Sequence, residues 1–132
     1  MQPDYRTIVT NFVYTLQNRI SAEEILSFYH PDVEQIEFPN VLTQRKVIRN
    51  LNELRDGLDQ GRQVLQKEEY QVIKLYSVEN TVIMEAIWTG TLAIPIGSTP
   101  VGGQIQAYFA QFYEFKEDKI IRQRNYDCFE PF

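Results

Sequence analysis

The sequence is poor in the side chains that most often bind metals or form covalent cross-links. It contains one cysteine, Cys128, and one histidine, His30, among 132 residues. One cysteine cannot form an internal disulfide bond, and the two residues together cannot supply the usual nitrogen and sulfur ligands of zinc. We therefore expect no disulfide bond, no metal site and no cofactor.

Long apolar runs and excess positive charge are also missing. No apolar run approaches the roughly 18 to 20 residues that cross a bilayer, and the amino terminus lacks the pattern of a secretion signal. The net charge of −5 repels a phosphate backbone. Four arginines between positions 45 and 62 are interleaved with acidic residues, as on a solvated helix face. We predict a cytoplasmic protein that binds neither membranes nor nucleic acid.

The apolar content is enough for one hydrophobic core. Of the 132 residues, 43% are apolar and 13% are aromatic, which suits one domain and is too little for two ordinary ones. No repeat or linker interrupts the chain. We predict a single domain that spans residues 1–132.

Three segments in the first half have helical patterns. Residues 4–19 place apolar side chains on one stripe, and residues 21–30 begin with a serine that can cap a helix and end before a proline. A third helix is predicted within residues 47–65. It contains Gly57 and Gly61, which weaken a helix, so we expect close packing at both to offset the loss.

The second half changes to the alternating pattern of strands. After a brief strand at residues 33–38, β-branched and aromatic residues alternate with polar ones from position 70 onward. Helices followed by a strand meander predict an α+β fold with the helices on one face of a mostly antiparallel sheet. The four long predicted strands are residues 70–78, 81–94, 104–115 and 119–129.

Several motifs are similar to those of a known superfamily. These are SFYHPDVEQIEF at residues 27–38, WTGTL at 88–92, PIGSTPVGGQIQ at 95–106 and FYEFKEDKIIRQRNY at 112–126. In this order they resemble SnoaL-type polyketide cyclases of the nuclear transport factor 2-like superfamily. The resemblance implies a cone-shaped, curved sheet that encloses a pocket together with three helices. It also implies a homodimer.

The turn between the last two strands decides which side chains face that pocket. A two-residue turn would bring Arg122 and Arg124 inside, where two unpaired charges would cost several kcal/mol. We predict a three-residue loop, residues 116–118, in which Asp118 adopts the left-handed conformation. The inner face then carries Phe109, Gln111, Tyr113, Ile121, Gln123 and Asn125.

The resemblance also indicates which positions would carry catalytic groups. The acid–base aspartate of SnoaL-type cyclases aligns with Asn125, and a histidine of theirs aligns with Gln111. In ketosteroid isomerases, three required residues align with Phe12, with Glu37 or Phe38, and again with Gln111. Amides can hydrogen-bond a carbonyl but cannot carry a proton near neutral pH. Glu37 is expected to face solvent because its apolar neighbours take the buried face.

Two other residues are the candidate catalytic groups. Asp127 shares the inward parity of Asn125, and a carboxylate at the rim of an apolar pocket has a raised pKa. The alternative for Asp127 is a strand-end cap or an arginine partner. His30 is the one side chain with an ordinary pKa near 7, and its predicted position at the end of the second helix also suits a helix-dipole partner.

The remaining candidates are expected to hold a ligand. Amide side chains can bind an oxygen atom, and aromatic side chains can hold a flat apolar molecule, although they equally suit a core. We predict a hydrophobic, carbonyl-bearing ligand and either a cofactor-free isomerase or cyclase, or a noncatalytic ligand-binding or dimerisation module. Aromatic residues Tyr108, Phe112 and Tyr126 predict a homodimer through the outer sheet face. The predicted ligand-binding residues are Tyr14, Trp88, Phe109, Gln111, Tyr113, Gln123 and Asn125.

Overall fold

A computed structural model of the protein describes residues 4–132. The helices are α1 (Tyr5–Gln17), α2 (Ala22–Leu26) and α3 (Leu51–Val64). The strands are β1 (Tyr29–Glu37), β2 (Val47–Arg49), β3 (Leu65–Val78), β4 (Thr81–Leu92), β5 (Gln104–Lys116) and β6 (Lys119–Phe129). No helix in the described part of the chain is both long and apolar enough to cross a membrane.

Each helix begins at a side chain that accepts a free backbone N–H. Asp4 caps α1, and Ser21 accepts the N–H of Glu24 at the start of α2, as the sequence pattern predicted. In α3, the Asn50 side chain and the Glu53 carboxylate each accept the other residue's backbone N–H at 3.0 Å. Such caps satisfy amide groups that have no partner within the helix.

The six strands form one curved, unclosed sheet in the order β2-β1-β6-β5-β4-β3. Only the β1–β6 pair is parallel; the other four strand pairs are antiparallel. The predicted α+β fold with a mostly antiparallel, cone-like sheet is therefore confirmed.

The hydrophobic core lies between the inner face of this sheet and the helices. Alternate residues of β4 and β5 are buried, as expected for strands with one face against a core. Phe12 on α1 contacts the rings of Phe28, Tyr29 and Tyr113 edge-on, with centroids 5.4 to 5.9 Å apart. These contacts attach α1 to β1 and β5.

The predicted second helix is shorter than its sequence pattern suggested. It ends at Leu26, and His30 lies in β1, so the predicted place of His30 at a helix end is wrong. A residue before proline avoids helical backbone angles, and His30 precedes Pro31. His30 is buried, and its Nδ1 accepts the N–H of Asp32 at 3.0 Å.

The β5–β6 hairpin differs from the prediction in its turn and at Ile121, which was predicted on the inner face, whereas Ile120 is the buried residue there. The turn has two residues, Glu117 and Asp118, both with positive φ, so the predicted three-residue loop is wrong. A β-bulge at Ile121 adds one residue to β6 directly after the turn. The shorter turn alone would exchange the inner and outer side chains of β6, and the extra residue exchanges them back. Gln123 and Asn125 are therefore buried on the inner face, as predicted.

The arginines of β6 lie outside, also as predicted. Arg124 pairs with Glu114, and its guanidinium lies 5.1 Å from the ring centre of Phe112. Arg122 Nε lies 3.8 Å from the Glu34 carboxylate. Both charges therefore have partners on the outer sheet face.

Candidate functional site

A cavity of about 640 Å³ lies between the inner face of the sheet and α3. Its walls combine aromatic rings from β3, β4 and β5 with amide and carboxylate side chains from β1 and β6. The α3 wall includes Gly57 and Gly61. Cavities of roughly 300 to 1,000 Å³ with this mixture of groups are typical of small-molecule sites.

The aromatic wall is built around Trp88. Its indole stacks on Phe109 with centroids 5.6 Å apart, and Tyr70 meets Phe109 edge-on at 6.0 Å. The indole Nε1–H donates to Glu68 Oε1 at 3.1 Å. Gly90 makes room for this arrangement, because a Cβ atom there would lie 2.5 Å from the indole ring.

A second wall consists of hydrogen-bonded amides. The hydroxyl of Tyr29 donates to Gln123 Oε1 at 2.9 Å, and Gln123 Nε2 donates to Asn125 Oδ1 at 2.9 Å. These two hydrogen bonds fix the orientation of the Gln123 and Asn125 amides. The Asn125 Nδ2 group has no hydrogen-bond partner among residues 4–132 and remains a free donor at the cavity wall.

Asp127 is held in the cavity wall by two consecutive hydrogen bonds, as Asn125 is. The Tyr113 hydroxyl donates to Gln111 Oε1 at 2.5 Å, and Gln111 Nε2 donates to Asp127 Oδ1 at 3.2 Å. Burial raises the pKa of Asp127 to about 7, while the hydrogen bond from Gln111 lowers it and the charge of Glu37 raises it further. Within the described residues, Asp127 Oδ2 has no hydrogen-bond partner, so this oxygen is available to a ligand.

Glu37 lies inside the cavity, so its predicted solvent exposure is wrong. The parallel pairing of β1 with β6 places it beside Asn125 on the inner face. Arg49 Nη1 donates to Glu37 Oε1 at 2.8 Å and to Gln35 Oε1 at 3.2 Å. The Glu37 carboxylate is therefore neutralised by a paired arginine, which is the usual condition for burying a charge.

Three predicted site residues do not line the cavity. Tyr14 is 62% exposed, because it lies about 200° around α1 from the buried Phe12. His30 is buried in β1 outside the cavity lining. Tyr113 lies behind Gln111 and reaches the cavity only through it. The six that do line it are Trp88, Phe109, Gln111, Gln123, Asn125 and Asp127.

Sequence reasoning missed several cavity residues. Glu37 and Gln35 share the parity of an inward-facing strand, a signal that the flanking apolar residues obscured. Glu68 was missed because β3 begins at Leu65 and not at position 70, and Tyr70 was predicted only as the first residue of that strand. The close packing expected at the two glycines of α3 is also wrong, since a Cβ at either would have no atom within 4 Å.

Comparisons with known proteins agree with the fold. The sequence profile of the SnoaL-like domain family matches residues 9–123. A search of curated protein sequences finds no match. Among solved structures, IdmH, a proposed polyketide cyclase from Streptomyces antibioticus, has a TM-score of 0.78 at 11% identity, covering 95% of this chain and 92% of its own.

Two further structures show the same architecture. A SnoaL-like polyketide cyclase from Agrobacterium tumefaciens has a TM-score of 0.72 at 19% identity, covering 96% of this chain and 92% of its own. TerC, co-crystallised with polyporic acid, has a TM-score of 0.72 at 15% identity, covering 96% and 91%. At these identities the likeness concerns the fold alone.

Proposed function

Because the chain belongs to the SnoaL-like domain family, part of the nuclear transport factor 2-like superfamily, we propose that its cavity binds a hydrophobic, carbonyl-bearing small molecule. We further propose that residues 1–132 form a single cytoplasmic domain. The volume of about 640 Å³ and the stacked pair Trp88 and Phe109 favour a flat, partly apolar ligand.

We propose that Asp127 transfers a proton to and from this ligand. The observation that carries the proposal is a partly buried carboxyl with a pKa of about 7 and one oxygen free at the cavity wall. A group with a pKa near the working pH is present in both protonation states, as acid–base catalysis requires. Gln111 and Tyr113 act as positioning residues, because the hydrogen bonds from the Tyr113 hydroxyl to Gln111 and from Gln111 to Asp127 orient the carboxyl.

Asn125 supplies the second part of the proposed chemistry. When Asp127 Oδ2 removes a proton from the carbon beside a carbonyl, the C–H electrons form an enolate whose charge resides on oxygen. The free Nδ2–H of Asn125 can donate to that oxygen, because Gln123 already holds its Oδ1. If the enolate is conjugated with a C=C bond of the ligand, return of the proton from Asp127 to the γ-carbon moves the double bond, which is an isomerisation. If the enolate carbon instead attacks a second carbonyl of the ligand, a C–C bond forms, the C=O bond becomes an alkoxide, and the alkoxide takes the proton from Asp127, which is a cyclisation.

A noncatalytic ligand-binding module is the alternative. It is favoured by the amides at Gln111 and Asn125, which cannot carry protons, and by the absence of His30 from the cavity lining. In this reading the raised pKa of Asp127 reflects burial alone, and the cavity binds its ligand without changing it.

Deuterium exchange separates these two readings. The probe is beta-tetralone, a bicyclic ketone whose α-protons exchange with D₂O and can be followed by NMR. Catalysis predicts that the protein accelerates exchange, that the rate rises as pH passes through about 7, and that Asp127→Asn abolishes the acceleration. Asp59→Asn, on the exposed side of α3, is the matched control. Quenching of Trp88 fluorescence without accelerated exchange would establish binding and remove the catalytic proposal.

The outer face of the sheet supports a second proposal, a homodimer. Tyr108 and Tyr126 are 46% and 40% exposed, and Tyr126 packs between Phe38 and Phe112. Exposed aromatic clusters of this kind often form interfaces. Sedimentation is expected to show a dimer at micromolar concentration that Tyr108→Lys weakens. A monomeric wild-type protein at that concentration would remove the proposal.

A further inference from the structure

We infer that the cavity's ligand is an acid whose anionic oxygens are bound by Arg19 and Arg62. This inference rests on the proposed function and extends it, since it names the charge of the ligand and the end of the cavity where that charge lies. Both arginines line the cavity, on the side formed by the α1–α2 connection and the end of α3.

Each of the two guanidinium groups is anchored by a backbone carbonyl. Arg19 Nη1 donates to the carbonyl of Leu65 at 2.8 Å, at the junction of α3 and β3. Arg62 donates to the carbonyl of Ile20, the residue that follows Arg19. Each guanidinium has five N–H donors, and these bonds use only one on each. Several donors on each therefore remain for a ligand.

Neither arginine is neutralised by a carboxylate. No Asp or Glu oxygen in residues 4–132 lies within 4.0 Å of either guanidinium, whereas Arg49, which also lines the cavity, pairs with Glu37 at 2.8 Å. Of the other acidic lining residues, Glu68 accepts from the Trp88 indole, Glu53 caps α3, Asp127 accepts from Gln111, and Asp56 lies exposed on α3. The cavity thus contains one compensated and two uncompensated arginines.

The backbone at Arg19 also indicates a functional role for its side chain. Arg19 has a φ of +54° just after α1, and its N–H donates to the Leu16 carbonyl at 3.2 Å. Glycine is the usual residue at this left-handed position after a helix, because it has no Cβ to clash. An arginine at this position makes the left-handed backbone conformation less stable than a glycine would, but it places a charged side chain at the cavity.

The α3 wall leaves space next to this charged end. Gly57 and Gly61 precede Arg62 on the same helix, and a Cβ at either would have no atom within 4 Å. A flat ligand can lie in that space with its acidic group at the arginines and its carbonyl toward Asp127. The predicted ligand is therefore bifunctional, with a carboxylate or similar anion at one end and an enolisable carbonyl at the other.

Two dyes that share their rings test the charge preference directly. Anilinonaphthalenesulfonate carries an anionic sulfonate, and phenylnaphthylamine is the same ring system without it. Trp88 is the single tryptophan and lines the cavity, so energy transfer from it reports a bound dye, and the arginine variants described next show whether that dye lies in the cavity. The wild-type protein is expected to bind the sulfonate more tightly than the uncharged dye, and the difference should shrink at about 1 M salt.

Arginine variants identify the residues responsible. Arg62→Gln should weaken sulfonate binding by about threefold to tenfold while leaving the uncharged dye unaffected, and Arg62→Lys should restore part of the loss. Arg19→Gly should weaken sulfonate binding while leaving the uncharged dye unaffected; its melting temperature combines relief of the left-handed backbone with loss of the hydrogen bond to Leu65. A purely structural role for Arg19 would instead weaken binding of both dyes to the same extent. Arg45→Gln, exposed and outside the cavity lining, is the control.

The outcomes separate this inference from the proposed function. Equal binding of both dyes, or sulfonate binding that Arg62→Gln leaves unchanged, would overturn the inference even if deuterium exchange of beta-tetralone is accelerated. Sulfonate preference without accelerated exchange would support an acid-binding module that is not an enzyme. Failure of both dyes to bind would overturn the inference and count against a ligand cavity.

Discussion

The partly buried carboxyl of Asp127 predicts a specific dependence of stability on pH. Its pKa rises from the usual 3.8 to about 7 in the folded protein, chiefly because burial disfavours the charged form. Between these values the folded state holds a proton that the unfolded state has released. The associated stability is therefore fully present below about pH 3.8 and is lost as pH rises through about 7.

The size of the effect follows from the same two values. The pKa difference is about 3 units, and each unit corresponds to about 1.4 kcal/mol, so the free energy of unfolding should fall by about 4 kcal/mol across this range. Asp127→Asn removes the titration but keeps an oxygen that can accept the Gln111 amide. At pH 8 the variant should therefore be more stable than the wild-type protein by up to that amount.

Urea unfolding followed by Trp88 fluorescence measures this difference. Curves at pH 4.5, 6 and 8 for the wild-type protein and Asp127→Asn should diverge as pH rises, because the other titrating groups are common to both. Asp59→Asn, which removes an exposed carboxylate, is the control and should show the same pH dependence of stability as the wild-type protein. Parallel pH profiles for the wild-type protein and Asp127→Asn would refute the reasoning, since they would mean that this carboxyl titrates alike in the folded and unfolded states.

Three further substitutions test other parts of the cavity. Gly90→Ala should destabilise the protein by about 1 to 3 kcal/mol and shift Trp88 emission, because the new Cβ would overlap the indole; unchanged emission would contradict this. Tyr113→Phe should cost about 1 to 3 kcal/mol in urea unfolding by leaving Gln111 Oε1 without its donor, and a neutral effect would show that this hydrogen bond is dispensable. Glu37→Gln should lower the pKa of Asp127 by removing a nearby negative charge, so the loss of stability with rising pH should be complete at a lower pH. An unchanged pH dependence of the free energy of unfolding would mean that Glu37 does not influence Asp127.

The fold could be predicted from local patterns because each major element carries its own signal. The apolar stripe of α1, the serine cap of α2 and the alternation of β4 to β6 depend mainly on nearby residues. The inward parity of Gln123 and Asn125 was also predictable, since burying the neighbouring arginines without partners would have been costly.

The features that sequence reasoning missed depend on contacts between distant segments. Glu37 faces inward because β1 pairs in parallel with β6, and its burial is possible because Arg49 comes from β2 to neutralise it. The residues around Glu37 in the sequence indicate neither its pairing with β6 nor its ion pair with Arg49. The open space beside Gly57 could not be predicted either, because the local sequence around a glycine does not show whether it packs closely against another segment or borders a cavity.

The β5–β6 hairpin limits how the length of this segment can change. A two-residue turn and the bulge at Ile121 together keep Asn125 and Asp127 inside. Deleting Ile121 alone would exchange the two faces of the rest of β6, bringing Arg124 and Tyr126 into the cavity and moving both polar residues out. Viable length variants of this hairpin should therefore change in steps of two residues, or combine a one-residue change in the turn with a compensating change in the bulge.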